Sequence, residues 1–211
     1  MKPVRGSVKG LWLATLVFLS ACSSMQPVAV DETTRQNLYE TKYSRITGLS
    51  QWRMTGRLAV SDKKEGGSGH FSWETSRSGS RMGFHGALGR GAWQLVADNS
   101  GAELELADGT VRRADTVERL VRLQVGWEIP VNNLAWWVRG LAAPGEVTRQ
   151  VIDDQGNLTE LQQDGWTIDY GNYRDFEGIN LPVKLFARQS DWKVKLAIKE
   201  WGFEKEGGNI E

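Results

Sequence analysis

The stretch from Gln51 to Val60, "QWRMTGRLAV", decides how this chain is read. Trp52, Met54, Leu58 and Val60 fall on one side of an extended backbone, and Arg53, Thr55 and Arg57 on the other. Successive side chains of a strand point to opposite faces, so the pattern predicts a strand with one apolar and one polar face. The same period returns near the other end, in "DWKVKLAIKEW" (191–201). There Trp192, Val194, Leu196 and Ile198 alternate with Lys193, Lys195 and Lys199. Between the two, after a turn at "KKEGGSG" (63–69), come Phe71 and Trp73, then Met82 and Phe84. Trp93, Leu95 and Ala97 follow, then Leu104 and Leu106. "GWTIDY" (165–170) and a segment from Leu181 to Phe186 continue the series. Short strands at this spacing predict an antiparallel meander.

Three segments break the alternation with helical spacing. From Asp31, an N-cap residue, Leu38, Lys42 through its stem, Ile46 and Leu49 share a face. In "DTVERLVRLQVG" (115–126), Asp115 with Glu118 three residues on reads as a capping box, with Val117, Leu120, Val121 and Val125 as the apolar face. "PVNNLAWWVRGL" (130–141) sets Leu134, Trp137, Val138 and Leu141 at i, i+3, i+4 and i+7. The class is α+β. The strand faces are broad and aromatic, more than three short helices are expected to cover.

The first residues set the compartment. Lys2, Arg5 and Lys9 precede an apolar run from Leu11 to Leu19, and then Leu19-Ser20-Ala21-Cys22. A run of nine residues, all but Thr15 apolar, is too short to span a bilayer and matches a signal-peptide core. The small residues leading into the chain's one cysteine resemble a bacterial lipoprotein signal, with Cys22 lipidated; an ordinary secretory signal is the plainer reading. The expected division is a signal peptide over 1–21, an acylated N-terminus and tether over 22–30, and one domain over 31–211. Ser23 and Ser24 follow the cysteine where an aspartate resembles an inner-membrane retention signal, which points to the outer membrane. A single thiol forms no internal disulfide, so a core must hold the domain. About 190 residues suffice for one. Without the three basic residues of the leader the balance is 23 basic to 26 acidic, a formal charge of −3. That argues against a nucleic-acid surface.

Catalytic patterns are missing. His70 and His85 have no metal-ligand partner at a known spacing, no GxSxG elbow occurs, and Asp153-Asp154 lie in "DDQGN", a turn composition. Gly86, Gly89 and Gly91 precede an alternating strand rather than a helix, unlike a nucleotide loop. No catalytic residue, metal or cofactor is expected. What the chain has in excess is tryptophan, ten residues of which nine lie beyond the leader. They alternate with Leu, Val and Met on the same faces, which favours an apolar interior over a sugar platform.

With these features in place, the chain resembles the LolB family of outer-membrane lipoproteins. The likeness rests on "GRLAV" (56–60), "FSWE" (71–74), "ALG" (87–89), "LAWWVRGL" (134–141), "DGWTIDYGNY" (164–173), "INLP" (179–182) and "KVKLAIKEW" (193–201), in that order. It implies an incomplete antiparallel β-barrel, a half-barrel, enclosing a hydrophobic cavity under a helical lid. It also implies a monomeric receptor anchored in the outer membrane and facing the periplasm. Such a receptor takes lipidated proteins from the periplasmic carrier LolA and inserts them into the inner leaflet, without enzymatic chemistry. The candidate acyl-chain cavity comprises Trp52, Met54, Leu58, Trp73, Phe84, Leu95 and Leu106. The resemblance assigns membrane insertion to Leu88, on the glycine-rich loop "HGALGRGAW" (85–93), where Gly86-Ala87 replace the family's frequent Asn-Pro. Two other readings stay open on the residues alone: a structural outer-membrane lipoprotein whose interior is merely core, and a glycan-binding module using its tryptophans.

Overall fold

The computed structural model describes residues 30–87 and 91–203. Eleven strands form one antiparallel sheet: β1 (Trp52–Ser61), β2 (Gly66–Ser76), β3 (Gly79–Gly86), β4 (Trp93–Asp98), β5 (Gly101–Leu106), β6 (Val111–Ala114), β7 (Val147–Ile152), β8 (Leu158–Gln163), β9 (Trp166–Phe176), β10 (Ile179–Gln189) and β11 (Trp192–Phe203). Their order is β6-β5-β4-β3-β2-β1-β11-β10-β9-β8-β7, so the first strand pairs with the last at the centre. The edges, β6 and β7, do not pair with each other. The sheet is a barrel left open, as the resemblance implied.

Three helices belong to this frame: α1 (Glu32–Thr47) before the first strand, and α2 (Val117–Leu120) and α3 (Val131–Trp137) between the two edge strands. A π-helical turn, Val121–Val125, extends α2. The chain thus crosses from one free edge to the other by a helical segment, and this segment is the lid. Its inner side is apolar: Leu120, Val121, Leu134, Trp137, Val138 and Leu141 are buried against the buried faces of the strands.

In β1 the alternation holds throughout, with Trp52, Met54, Leu58 and Val60 buried. Between Thr55 and Gly56 the register against β11 slips. A Cβ at Gly56 would run into the Ala197 carbonyl oxygen, so only glycine lets the two strands approach here.

Several local expectations are corrected. "GGSG" (66–69) is strand, not turn; the turn is Asp62 to Glu65, where Asp62 Oδ1 accepts from the Lys64 and Glu65 amides. The buried face of α1 is Tyr39 and Ile46 with Tyr43 beside them, whereas Leu38 is 39% exposed. The reason is tertiary. Gly156, at φ +73° in the β7–β8 turn, sits so close to Leu38 that a Cβ there would collide with it, and the turn fixes which side of α1 faces in. Asp31 does cap α1, accepting from Thr34 N at 3.0 Å. The cap of α2 is Thr116 and not Asp115, which instead pairs with Arg119 at 3.2 Å. Glu118 does not close a capping box of its own; it accepts from Asn132 N at 2.9 Å and caps α3. The segments on either side of Asp153, "VTRQVI" and "LTELQQ", which the alternation does not mark, are β7 and β8.

Candidate functional site

The concave face carries a chain of ring contacts from one rim of the half-barrel to the other. Trp201 and Trp73 flank Trp52 at 5.5 and 5.4 Å between centroids. Phe71 joins Trp73 at 6.2 Å and Trp93 at 6.4 Å, and Phe84 stacks on Trp93 at 5.8 Å. Trp127 ends the series, edge-on to Phe84 at 5.4 Å and to Trp93 at 6.1 Å. Tilted and edge-to-face pairs each stabilise by about 0.5–1.5 kcal/mol beyond the area they bury. The track follows from two-residue alternation on neighbouring strands in register: Phe71 lies opposite Phe84 and Phe84 opposite Trp93.

At its end lies a cavity of about 360 Å³, lined by Val60, Gly67, Phe84, Trp93, Trp127 and Trp192 among others. Trp127 is placed there by the end of the π-helical turn. Gly126 adopts φ +77°, a left-handed conformation that reverses the chain, and Trp127 N returns to Val121 O at 3.4 Å. The cavity stands at the rim where Ala87 and Gly91 leave and re-enter the described chain, next to Phe84 at the end of β3 and Trp93 at the start of β4.

The lid is clamped by polar groups buried in the apolar interior. The Gln163 side chain accepts from Trp137 Nε1 at 3.0 Å and from Ala143 N at 2.9 Å, and donates to Ala143 O at 2.7 Å. Tyr39 Oη accepts from Ala142 N at 3.0 Å, and burial pushes its phenol up to about 12. Arg139 is buried with its guanidinium 5.6 Å from the Trp52 ring and 5.0 Å from the Trp136 ring. Its Nε donates to Ala135 O at 2.9 Å. Burial pulls it down to about 10, so it remains a cation at neutral pH, held by rings and carbonyls.

Of the residues singled out in the sequence, Trp52, Met54, Leu58, Trp73, Phe84 and Leu95 are buried in one continuous cluster, and Leu106 packs half-buried at its margin. Phe84 alone of these lines the rim cavity. The three helices therefore cover more of the strand faces than expected, because Arg139 and the loop to Ala143 fill in beside them. Trp127 was not foreseen, although a tryptophan directly after a helix-ending glycine was a usable signal. Cys22 and Leu88 lie outside the described residues. His70 and His85, far apart in sequence, are register partners on the outward faces of β2 and β3. Among the described residues no group of three His, Cys, Asp or Glu side chains could hold a metal ion.

The solved LolA superfamily protein NE2245 from Nitrosomonas europaea has the same architecture. It matches with a TM-score of 0.50 at 10% identity over 81% of this chain and 94% of its own. Closer in sequence is an outer-membrane lipoprotein LolB of Pseudomonas fluorescens, 38% identical over 77% of this chain and 79% of its own. Those of Stutzerimonas stutzeri and Pseudomonas aeruginosa are each 32% identical; they cover 88% and 89% of this chain and 90% and 92% of their own. The family model described as outer membrane lipoprotein LolB matches residues 50–201, from the start of β1 almost to the end of β11. The chain belongs to the LolB family of outer-membrane lipoproteins.

Proposed function

We propose that this protein takes lipidated proteins from the periplasmic carrier LolA and passes them into the outer membrane, sheltering their acyl chains on its concave face as a monomer. The observation that carries this reading is the aromatic track, buried beneath the lid and ending in a rim cavity lined by Phe84, Trp93 and Trp127. Cargo keeps its lipid, so no bond is broken and no nucleophile is required. Exposing an acylated N-terminus with three chains to water costs on the order of 30 kcal/mol, at about 0.8 kcal/mol per methylene. A protein that moves it must therefore supply apolar contact at each stage. Release follows because the bilayer is the better solvent.

In this reading Cys22 carries the anchor to the outer membrane, and the body faces the periplasm. Leu88, in the segment between Ala87 and Gly91 at the rim cavity, is assigned the first contact with the bilayer. Its own transfer contributes only about 1.5–3 kcal/mol, enough to bias contact and too little to drive delivery. A Leu88→Glu chain should still take cargo from the carrier, because the cavity is untouched, while transfer of that cargo into liposomes falls sharply through the desolvation cost of a carboxylate. Both assays are run on one purified variant. Loss of uptake together with delivery would move Leu88 into the cavity or the docking surface. A wild-type chain that takes up no lipidated cargo at all would leave the protein a structural lipoprotein. Labelled palmitate should enter the wild type and fail to enter Cys22→Ala.

A further inference from the structure

The outward face of the sheet has no part in the cavity, yet it is not featureless. On β1, β10 and β11 the register sets Arg57 opposite Ala197 and Ala197 opposite Lys184. One row further, Ala59 lies opposite Lys195 and Lys195 opposite Phe186. Arg57, Lys184 and Lys195 are exposed, and among the described residues none has a carboxylate within ion-pair distance. The small side chains between them leave a groove of about 580 Å³ floored by Ala59, Gly171, Ala197 and the Phe186 ring. Phe186 is the aromatic of this floor, with Lys195 Nζ 5.5 Å and the Arg188 guanidinium 5.7 Å from its ring. A second groove of about 630 Å³ shares Arg57 and Ala197 and continues past His70, His85, Arg174 and Lys199. Asp169 also lines the groove, and its carboxylate is engaged by Arg188; that of Glu200 is engaged by Lys199. A chain with balanced charge has therefore gathered unpaired cations on one wall, around an apolar floor.

We infer that this groove binds the headgroup of an anionic phospholipid and so holds the outer wall of the half-barrel against the membrane surface. Flexible ammonium groups and a guanidinium around the trough suit a phosphodiester, and the alanine and phenylalanine floor suits the methylenes that follow it. The position of the chain ends points the same way, and this part rests on the proposed function. Arg35, one turn into α1, bonds Asp154 in the β7–β8 turn at 2.8 Å, so Asp31 lies at the rim opposite Ala87 and Gly91. An anchor at Cys22, nine residues before Asp31, reaches at most about 30 Å. An anchor near one rim and a membrane-seeking loop at the other bring a wall, not an end, to the bilayer.

The test uses the mature chain with Cys22→Ala, which removes the covalent anchor, and sedimentation with vesicles of phosphatidylcholine alone or mixed with phosphatidylglycerol. Binding should be stronger to the anionic vesicles and weaken with salt. Arg57→Gln, Lys184→Gln and Lys195→Gln should each lower it about fivefold, the equivalent of roughly 1 kcal/mol per surface charge. Arg112→Gln with Arg149→Gln, which removes charge elsewhere, should leave it unchanged, and all variants should keep the wild-type unfolding midpoint. Equal binding to both vesicle types, or a groove triple variant that binds anionic vesicles like the wild type, would overturn the inference. If that triple variant instead lost uptake of cargo from the carrier while keeping vesicle binding, the groove would serve an acidic protein and the lipid assignment would fail. Uptake of cargo by the wild type is read separately, so failure here does not touch the receptor reading.

Discussion

Gln163 illustrates how one side chain can decide whether the lid stays down. Its amide serves the Trp137 indole and both polar groups of the Ala143 backbone, all away from water. Leucine has nearly the same volume but would leave an indole N–H, an amide N–H and a carbonyl without partners. Each orphaned group costs about 1–3 kcal/mol, so Gln163→Leu should destabilise the domain by about 3 kcal/mol or more in urea unfolding. A loss below about 1 kcal/mol would mean that water reaches these groups. Nothing in "LTELQQDG" marked the second glutamine as interior; its partner atoms lie 20 and 26 residues away.

At the scale of elements, the lid helices depend on each other. α3 has only seven residues, starts after Pro130 and has no side-chain cap of its own. Glu118 of α2 supplies it across the gap, so Glu118→Ala should cost about 1 kcal/mol, as for a lost N-cap, and Glu118→Gln should recover part of it by keeping an acceptor. The denaturant midpoints of the two variants make the comparison. Legibility followed the range of the interactions. The strands at the centre could be read because one face is buried and the other wet, as in "KVKLAIKEW". So could the burial of α3 and the turn after it, whose Leu134, Trp137, Val138 and Leu141 all face in, although the helix ends at Trp137, earlier than the spacing through Leu141 suggests. The capping box at Asp115 was misread because local spacing cannot show that Glu118 finds a better partner 14 residues on. β7 shows no alternation in the sequence because its edge position leaves both faces largely wet. For the site, alternation identified apolar side chains but could not tell the rim residue Phe84 from deep ones such as Leu95. The cationic wall was hidden by a balanced total charge.

The whole molecule should respond to alkali through its tyrosines. Burial raises Tyr39 to about 12 and holds Tyr170 and Tyr173 well above the ordinary phenol value of 10.0. For an acid whose folded value lies above its unfolded one, the native state keeps a proton that the unfolded chain loses. This stabilisation is complete below pH 10 and disappears as pH rises through about 12. The unfolding midpoint should therefore fall across that window, and tyrosinate absorbance should appear together with the loss of structure. Ionisation of Tyr39, Tyr170 or Tyr173 in a still folded chain would contradict it. A different consequence comes from the missing seam. Among the described residues no ladder of backbone hydrogen bonds joins β6 to β7, so the mouth is kept narrow by the lid, through its apolar packing and the buried hydrogen bonds of Gln163 and Tyr39. Apolar attraction weakens on cooling. Chilling should thus slacken the apolar share of the closure while the polar clamp and the ladders hold, leaving the gap easiest to pry apart in the cold, when lipid chains themselves are stiffest.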